Sequence, residues 1–409
     1  MSDKELMRDP FSGYARIREQ TPLARGVMDG VEPAWMVTRY HDVKMVLGDP
    51  RFVNDKKNVP GTPAPIREQV LQAIGIPPEY QKYRLQRIDA FDGAEHVRLR
   101  KLVSKAFTVR RINKLRPRVK EIADDLLDRL AARAEDGVVD VIPHFANLLP
   151  NAVICELIDI PAADRSQWQE WYGVVTPTTG LERKIQVWRE LVPYIQSLIE
   201  RRRAEPGDDL ISAMIGARNE DGDQLSETDI VAMLVLVGLT GPQTTATFIG
   251  NGICALLTHP DQRALLREKP ELMPRAVHEM LRWVGSTQVL PRIRYATEDV
   301  EIGGQTMRKG DAVWLILASA NHDPRMFDNP ERLDFTRDPD RRTETHVGFG
   351  GGAHRCLGAA QSSQDAEVAF ESFFRRFPDA ELAVDPAELE RAPMAFQYRL
   401  MALPVRLWP

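Results

Sequence analysis

The sequence predicts a mainly α-helical protein with a small β region, an α+β composition in which the sheet is subordinate. Three observations carry this expectation. Helical patterning runs from Ser226 to His259, roughly 50 Å at 1.5 Å per residue, and residues 230–237 within it are all apolar. Val119, Ile122, Ala123, Leu126, Leu127 and Leu130 recur at the spacing of one helix face. Strand-like runs are short: Val138 to Ile142, Val300 to Ile302 and Val313 to Ile316.

At 409 residues the length prior admits two or three domains. No stretch rich in Pro, Gly or Ser divides the chain, so a single domain over residues 1–409 is expected. A net charge of −5 speaks against nucleic acid as a partner. The three cysteines, Cys155, Cys254 and Cys356, have no paired spacing, which points away from disulfides and zinc and towards a reducing compartment. The first 20 residues lack the apolar core of a signal peptide or anchor, and Ile230 to Leu239 is too short to cross a bilayer. A cytoplasmic protein with no membrane partner is expected.

In chain order, Ala34 to Thr38 reads as a strand and Val43 to Leu47 as the start of a helix. Pro60, Pro63, Pro65, Pro77 and Pro78 then break the pattern around a short helical piece, Ile66 to Ile74. Glu95 to Val103 opens a helix in which His96 and Arg100 share a face, two donors suited to an anion. The surrounding cations, Arg98, Lys101, Lys105, Arg110, Arg111, Lys114, Arg116 and Arg118, form a basic patch almost without acids in the same stretch.

The helix Val119 to Ala132 is closed by Gly137, and helical segments follow at Phe145 to Leu157 and Ala162 to Val175. Trp168, Trp171 and Tyr172 on the latter suit core packing, and residues 176–180 break the pattern. In the long helix, Ser226 with Asp229 three residues on is a capping signal. The polar cluster Thr240 to Thr245 interrupts an otherwise apolar element, and Pro242 removes an N–H and crowds the carbonyl of Gly238. The helix is expected to open there.

Near the C-terminus, Phe349-Gly350-Gly351-Gly352-Ala353-His354-Arg355-Cys356-Leu357-Gly358 precedes a helical run from Ala359 to Phe374. Three glycines permit a tight turn and close approach to a flat object. Cys356 falls near a helix N-terminus, where a thiolate is stabilised as a metal ligand or a nucleophile.

This spacing resembles that of the cytochrome P-450 family, haem-thiolate monooxygenases. The resemblance continues in order along the chain through His96-x-x-x-Arg100, Thr244, Glu279-x-x-Arg282 and Pro330-Glu331-Arg332. It implies the fold of that family, with haem b between the long central helix and the helix after the cysteine loop. Cys356 would be the iron ligand, with Phe349 packed against the ring beside the sulfur. His96, Arg100, Arg294 and His354 would meet the haem propionates.

The resemblance makes Thr244 the threonine that helps deliver protons during dioxygen activation, flanked by Gln243 and Thr245. It assigns Glu279, Arg282 and Arg332 to a structural ion network. Thr240, Gly241, Gln288, Val289, Leu290, Met394, Ala395 and Phe396 would border the substrate pocket. The chain departs from the family at Thr240, where a small residue is usual, and at Gln243, where an acid is usual. An amide holds water but does not titrate.

The implied activity is oxidation of a small organic molecule with dioxygen, by default hydroxylation in secondary-metabolite biosynthesis. Epoxidation or oxidative coupling is the alternative outcome, and peroxide-driven turnover a variant. Electrons would come from ferredoxin and ferredoxin reductase, with no fused flavin, and the basic patch is the expected dock. The reading from another class is a related haem-protein-like recruitment module without turnover.

Overall fold

A computed structural model describes residues 6, 9–28, 31–62, 71–174, 179–337 and 345–408. The helices are α1 Pro10–Gln20, α2 Tyr40–Gly48, α3 Gln81–Leu85, α4 Gly93–Ala106, α5 Val109–Ala132, α6 Leu148–Ile158 and α7 Arg165–Val174. They continue with α8 Leu181–Ala204, α9 Leu210–Gly216, α10 Glu227–Thr258, α11 Pro260–Glu268, α12 Met273–Trp283, α13 Leu317–Asn321 and α14 Ala359–Arg376. The chain groups into two compact units, residues 1–53, 116–150 and 244–409 in the first and 54–115 with 151–243 in the second. Helices α5, α6 and α10 each begin in one unit and end in the other.

The first unit carries the sheets. Strands β1 Leu23–Met28, β2 Val31–Val37, β3 Phe52–Val53, β5 Arg294–Ala296 and β8 Ala312–Leu315 pair in the order β1-β2-β8-β5-β3. Only β2 and β8 run parallel, with Trp35 opposite Val313. The period of two along β8 divides the core. Val313 and Leu315 join Val37, Tyr40 and Val347 on one side, while Ala312 and Trp314 join Tyr14, Ala34 and Met36 on the other. Strand β4 Val138–Asp140 pairs through β10 Pro404–Arg406 with β9 Glu381–Leu382, and β6 Val300–Ile302 forms a hairpin with β7 Gln305–Met307.

The second unit is helical. Its part of α10 starts in a reciprocal capping box: Asp229 N–H donates to Ser226 Oγ (3.1 Å) and Ser226 N–H to Asp229 Oδ2 (2.9 Å). Residues 230–235 are buried, as an all-apolar run requires. Helix α10 is long and apolar enough to cross a membrane, but 61% of its most apolar window is buried in protein, as befits a core helix.

The expected opening at Thr240 to Thr245 does not occur; α10 is helical without interruption through Pro242. Gly238, whose carbonyl Pro242 would crowd, has no side chain, and the Tyr172 ring occupies the place a Cβ would take, 2.0 Å from the Tyr172 Cζ. The Tyr172 hydroxyl donates to the Leu234 carbonyl one turn earlier (3.2 Å), and the Thr240 hydroxyl to that of Leu236 (2.8 Å). Side-chain hydroxyls thus bind helix carbonyls along this stretch while the backbone stays regular. Residues 63–70 of the proline-broken stretch and 175–178 of the break after α7 lie outside the described residues.

Candidate active site

The cysteine loop belongs to the first unit, between β8 and α14. Val347 N–H is held by Asn321 Oδ1 (2.8 Å), Gly350 N–H by the Val347 carbonyl (2.8 Å) and Cys356 N–H by the Phe349 carbonyl (2.9 Å). Gly350 and Gly352 have φ of +70° and +63°, which a side chain rarely tolerates. A Cβ on Gly352 would also lie 2.1 Å from the Leu47 carbonyl oxygen. The loop therefore lies against α2 by backbone contact. It returns to α14 with Cys356 exposed, whereas Cys155 and Cys254 are buried. Burial pushes the Cys155 thiol up to about 11, which makes it inert.

Beneath the loop, Arg282 forms a bidentate pair with Glu279, 2.8 Å on both arms, with side chains 2% and 7% exposed. The remaining Arg282 donors reach the carbonyls of Asn321 (2.9 Å), Pro330 (2.8 Å) and Arg332 (3.2 Å). The third ion is Arg337, 3.0 Å from Glu279 Oε1. This corrects the sequence expectation for Arg332: its guanidinium is exposed, and it contributes only a carbonyl, which Arg337 also binds (2.8 Å).

A histidine pair, absent from the sequence reading, adjoins this network. His346 Nδ1 accepts from Gly348 N–H (3.0 Å), so its proton is on Nε2 and faces His278 Nδ1 (3.0 Å). Burial and the neighbouring His278, Arg355 and Arg282 hold His346 neutral, well below the usual imidazole range. The Arg355 guanidinium lies 5.8 Å from the centre of the Phe349 ring. Arg294 sits buried on β5, and His354 is half-buried in the loop.

Thr244 and Thr245 lie where α10 enters the first unit. Thr244 is half-buried; Thr245 is buried, its Oγ1 3.2 Å from Ser362 Oγ on α14. Of the pocket candidates in this unit, Gln288, Met394 and Ala395 line one small cavity with Arg391, Gln397 and Tyr398. Val289 and Phe396 do not join them: Val289 is fully buried beside Ile316 and Trp314, and Phe396 packs on the same core. Leu290 packs on the opposite side of the sheet.

In the second unit, His96 is buried and Arg100 half-buried on α4, while Thr240 and Gln243 are exposed and Gly241 half-buried on α10. A Cβ on Gly241 would meet Ile154 at 3.5 Å, an ordinary contact, so packing does not demand glycine there. The basic patch is largely neutralised, contrary to its appearance in sequence. Arg98 pairs with Glu95 (2.8 Å) and Asp223 (3.1 Å), and Arg111 and Lys114 share Asp208. In the first unit Arg116 pairs with Glu367 (2.6 Å) and Arg118 with Glu121 (2.9 Å). Asp208 and Asp223 come from loops and Glu367 from α14, all remote in sequence, while Glu95 and Glu121 lie one turn from their partners.

Residues 174–395 match the family model described as cytochrome P450. The chain is 39% identical over 407 residues to cytochrome P-450 107B1 of Saccharopolyspora erythraea, covering 99% of this chain and 96% of that protein. It is 37% identical over 402 residues to the 6-deoxyerythronolide B hydroxylase of the same organism, covering 98% and 96%. Among solved structures, the bacillaene polyketide synthase cytochrome P-450 PksS of Bacillus subtilis superposes with a TM-score of 0.88 at 37% identity, covering 100% of this chain and 99% of that one.

Proposed function

The chain belongs to the cytochrome P-450 family and is a haem monooxygenase of the bacterial type, and we propose that it hydroxylates a polyketide-type small molecule in the cytoplasm, working as one domain. The observation that carries this reading is Cys356, exposed on a loop whose glycine conformations and backbone contact with α2 a side chain would forbid. The residues fit a haem. The loop offers a thiol, where the other two cysteines are buried, and glycines that let backbone approach a flat ring.

Cys356 would hold the iron and Phe349 pack beside the sulfur, while Arg100 and Arg294 would supply guanidinium donors and His96 and His354 ring N–H donors suited to two propionates. Haem bound through a thiolate supplies the activation of dioxygen and the oxidation of carbon. The chain's own residues do the remaining work. Thr244 and Thr245 hold and pass protons at their hydroxyls; Gln243 holds water by its amide. Gly241 keeps the wall of α10 low, and Thr240, Gln288, Leu290, Met394 and Ala395 border the guest.

The names of two relatives, a bacillaene polyketide synthase cytochrome P-450 and a 6-deoxyerythronolide B hydroxylase, support the substrate class. Bacterial members of the family generally take electrons from separate redox partners. Here that partner is an acidic ferredoxin served by its reductase, meeting Lys101 and Arg110, which are exposed and have no acidic partner among the described residues. Titration of the purified protein with 6-deoxyerythronolide B tests the substrate class: displacement of the haem absorbance towards the high-spin form is expected, and no change at saturating ligand overturns it. Joint Lys101→Glu and Arg110→Glu substitution should slow reduction by ferredoxin and flatten its salt dependence; unchanged rates remove the docking site.

A further inference from the structure

Arg391, which enters the site above only as a cavity wall, is a cation without a counter-charge. Its side-chain hydrogen bonds all leave from Nη1, to Asn251 Oδ1 (3.1 Å) and the Tyr398 carbonyl (3.3 Å). The guanidinium lies 3.4 Å from the centre of the Tyr398 ring. Among the described residues no carboxylate pairs with it. Asp9 caps α1 by accepting from Ser12 N–H (3.1 Å), and Glu390, next to Arg391 in sequence, is exposed. The acidic groups that Arg391 does meet are the Tyr398 phenol and the Cys254 thiol, both pushed up by burial and therefore neutral. Burial also pulls Arg391 below the usual guanidinium range, the sign of a charge short of both water and a partner.

A cation in such surroundings is costly until an opposite charge meets it. Asn251 supplies none. It is neutral, and its amide is already taken by the carbonyls of Gly285 (2.9 Å) and Tyr398 (2.7 Å).

The cavity beside Arg391 leaves room for a single small occupant. Gln288, Gln397 and Tyr14 line it together with Met394 and Ala395. Gln288 is 6% and Tyr14 2% exposed. Gln288 Nε2 and Gln397 Oε1 have no hydrogen-bond partner, and the Tyr14 phenol, kept protonated by burial, is a further donor. The backbone of this wall is fixed: Gln288 N–H donates to the Phe396 carbonyl (2.9 Å), and the Gln288 carbonyl accepts from Ala318 N–H (3.0 Å). The space left is about 10 Å³, enough for one occupant near the size of a water. Water there would answer the amides and leave the charge; a monatomic anion answers both. The Gln397 amide offers its N–H groups in place of Oε1 by turning about its terminal bond.

We propose that this cavity is a halide site, in which one chloride ion is the counter-charge of Arg391 and accepts from its guanidinium, from Gln288 Nε2 and from the Tyr14 hydroxyl. The ion would tie the C-terminal segment to α1 and to the stretch between α12 and β5. No covalent bond forms or breaks. None of these residues holds haem or passes a proton in the reading above, so the site stands or falls separately from it.

Thermal unfolding of the haem-loaded protein in sodium chloride and in sodium gluconate, at equal ionic strength, tests the site. Chloride should raise the midpoint saturably, by about 2 °C at ten times its dissociation constant, and bromide should substitute for it. Gln288→Met keeps the bulk and removes a donor; the chloride concentration for half the effect should rise about tenfold. Arg391→Met should abolish the dependence, and if that variant fails to fold, Gln288→Met carries the test. Crystals grown in gluconate and soaked in sodium bromide should show an anomalous peak in this cavity. A midpoint indifferent to halide, a cavity holding water alone, bromide on the surface only as an adventitious ion only, or a chloride effect unchanged in Gln288→Met overturns the proposal.

Discussion

The loop around Cys356 and the polar stretch of α10 answer opposite demands. In the loop the backbone is irregular and every deviation is secured. Two glycines have positive φ, Val347 is held by Asn321, and a buried Glu279–Arg282–Arg337 network lies beneath. In Thr240 to Thr245 the backbone is an ordinary helix even at proline, and what varies is which hydroxyl or amide faces outward. The first arrangement tolerates almost no substitution because each residue sets geometry. The second can change side chains without changing the fold, which is where a family with one cofactor can vary its chemistry.

The contrast can be broken first at the ion network. Arg282→Ala leaves Glu279 buried with one partner fewer and strands the carbonyls of Asn321 and Pro330, a loss of about 3–5 kcal/mol; urea unfolding should show it. Gly352→Ala comes next. Positive φ and the 2.1 Å approach to the Leu47 carbonyl should cost about 2–3 kcal/mol and weaken haem retention, read by dialysis against apomyoglobin. A substitution that left both unchanged would mean the loop is not clamped to α2.

The pH dependence of stability tests the buried carboxyl on α14, Asp365, 3% exposed. The carboxyl of Asp365 is raised in the folded chain from 3.8 to about 7. Between those values the folded state binds more protons than the unfolded state, so its contribution to stability is complete below about pH 4 and declines until about pH 7. Asp365→Asn should remove a slope worth about 4 kcal/mol over that window. His346 acts in the opposite sense: held neutral in the fold, it makes stability fall as pH drops below the ordinary imidazole value near 6.5. Thermal unfolding from pH 4 to 9 resolves the two.

The smallest stability effect belongs to α10. Gln243→Glu is exposed and should change stability by less than about 0.5 kcal/mol while raising the coupling of electrons to product. No rise would mean that the absence of an acid at this position does not limit proton supply.

The sequence made much of this legible where the signal is local. The capping box at Ser226 and Asp229, the extent of α10, strands β2 and β8 and the cysteine loop follow from spacing and turn chemistry. What eluded it depends on partners far along the chain. Arg337 displaces Arg332 from the ion network because the turn after Pro330 presents a carbonyl from one and a guanidinium from the other. The basic patch is matched by Asp208, Asp223 and Glu367, remote in sequence. Gln361-Ser-Ser-Gln-Asp365 has the composition of a wet helix face, and only packing reveals that Gln361, Gln364 and Asp365 are buried. Pro242 misled because a proline that removes one helix hydrogen bond need not open the helix: α10 continues through it.

The most direct test of the account is the difference spectrum of the dithionite-reduced protein with and without carbon monoxide, taken alongside Cys356→His. The parent should show the strongly red-shifted Soret band of a thiolate-ligated haem, and Cys356→His should lose that band while retaining haem or lose the haem altogether. A parent without the red-shifted band, or a variant that keeps it, would contradict the assignment of Cys356 as the iron ligand.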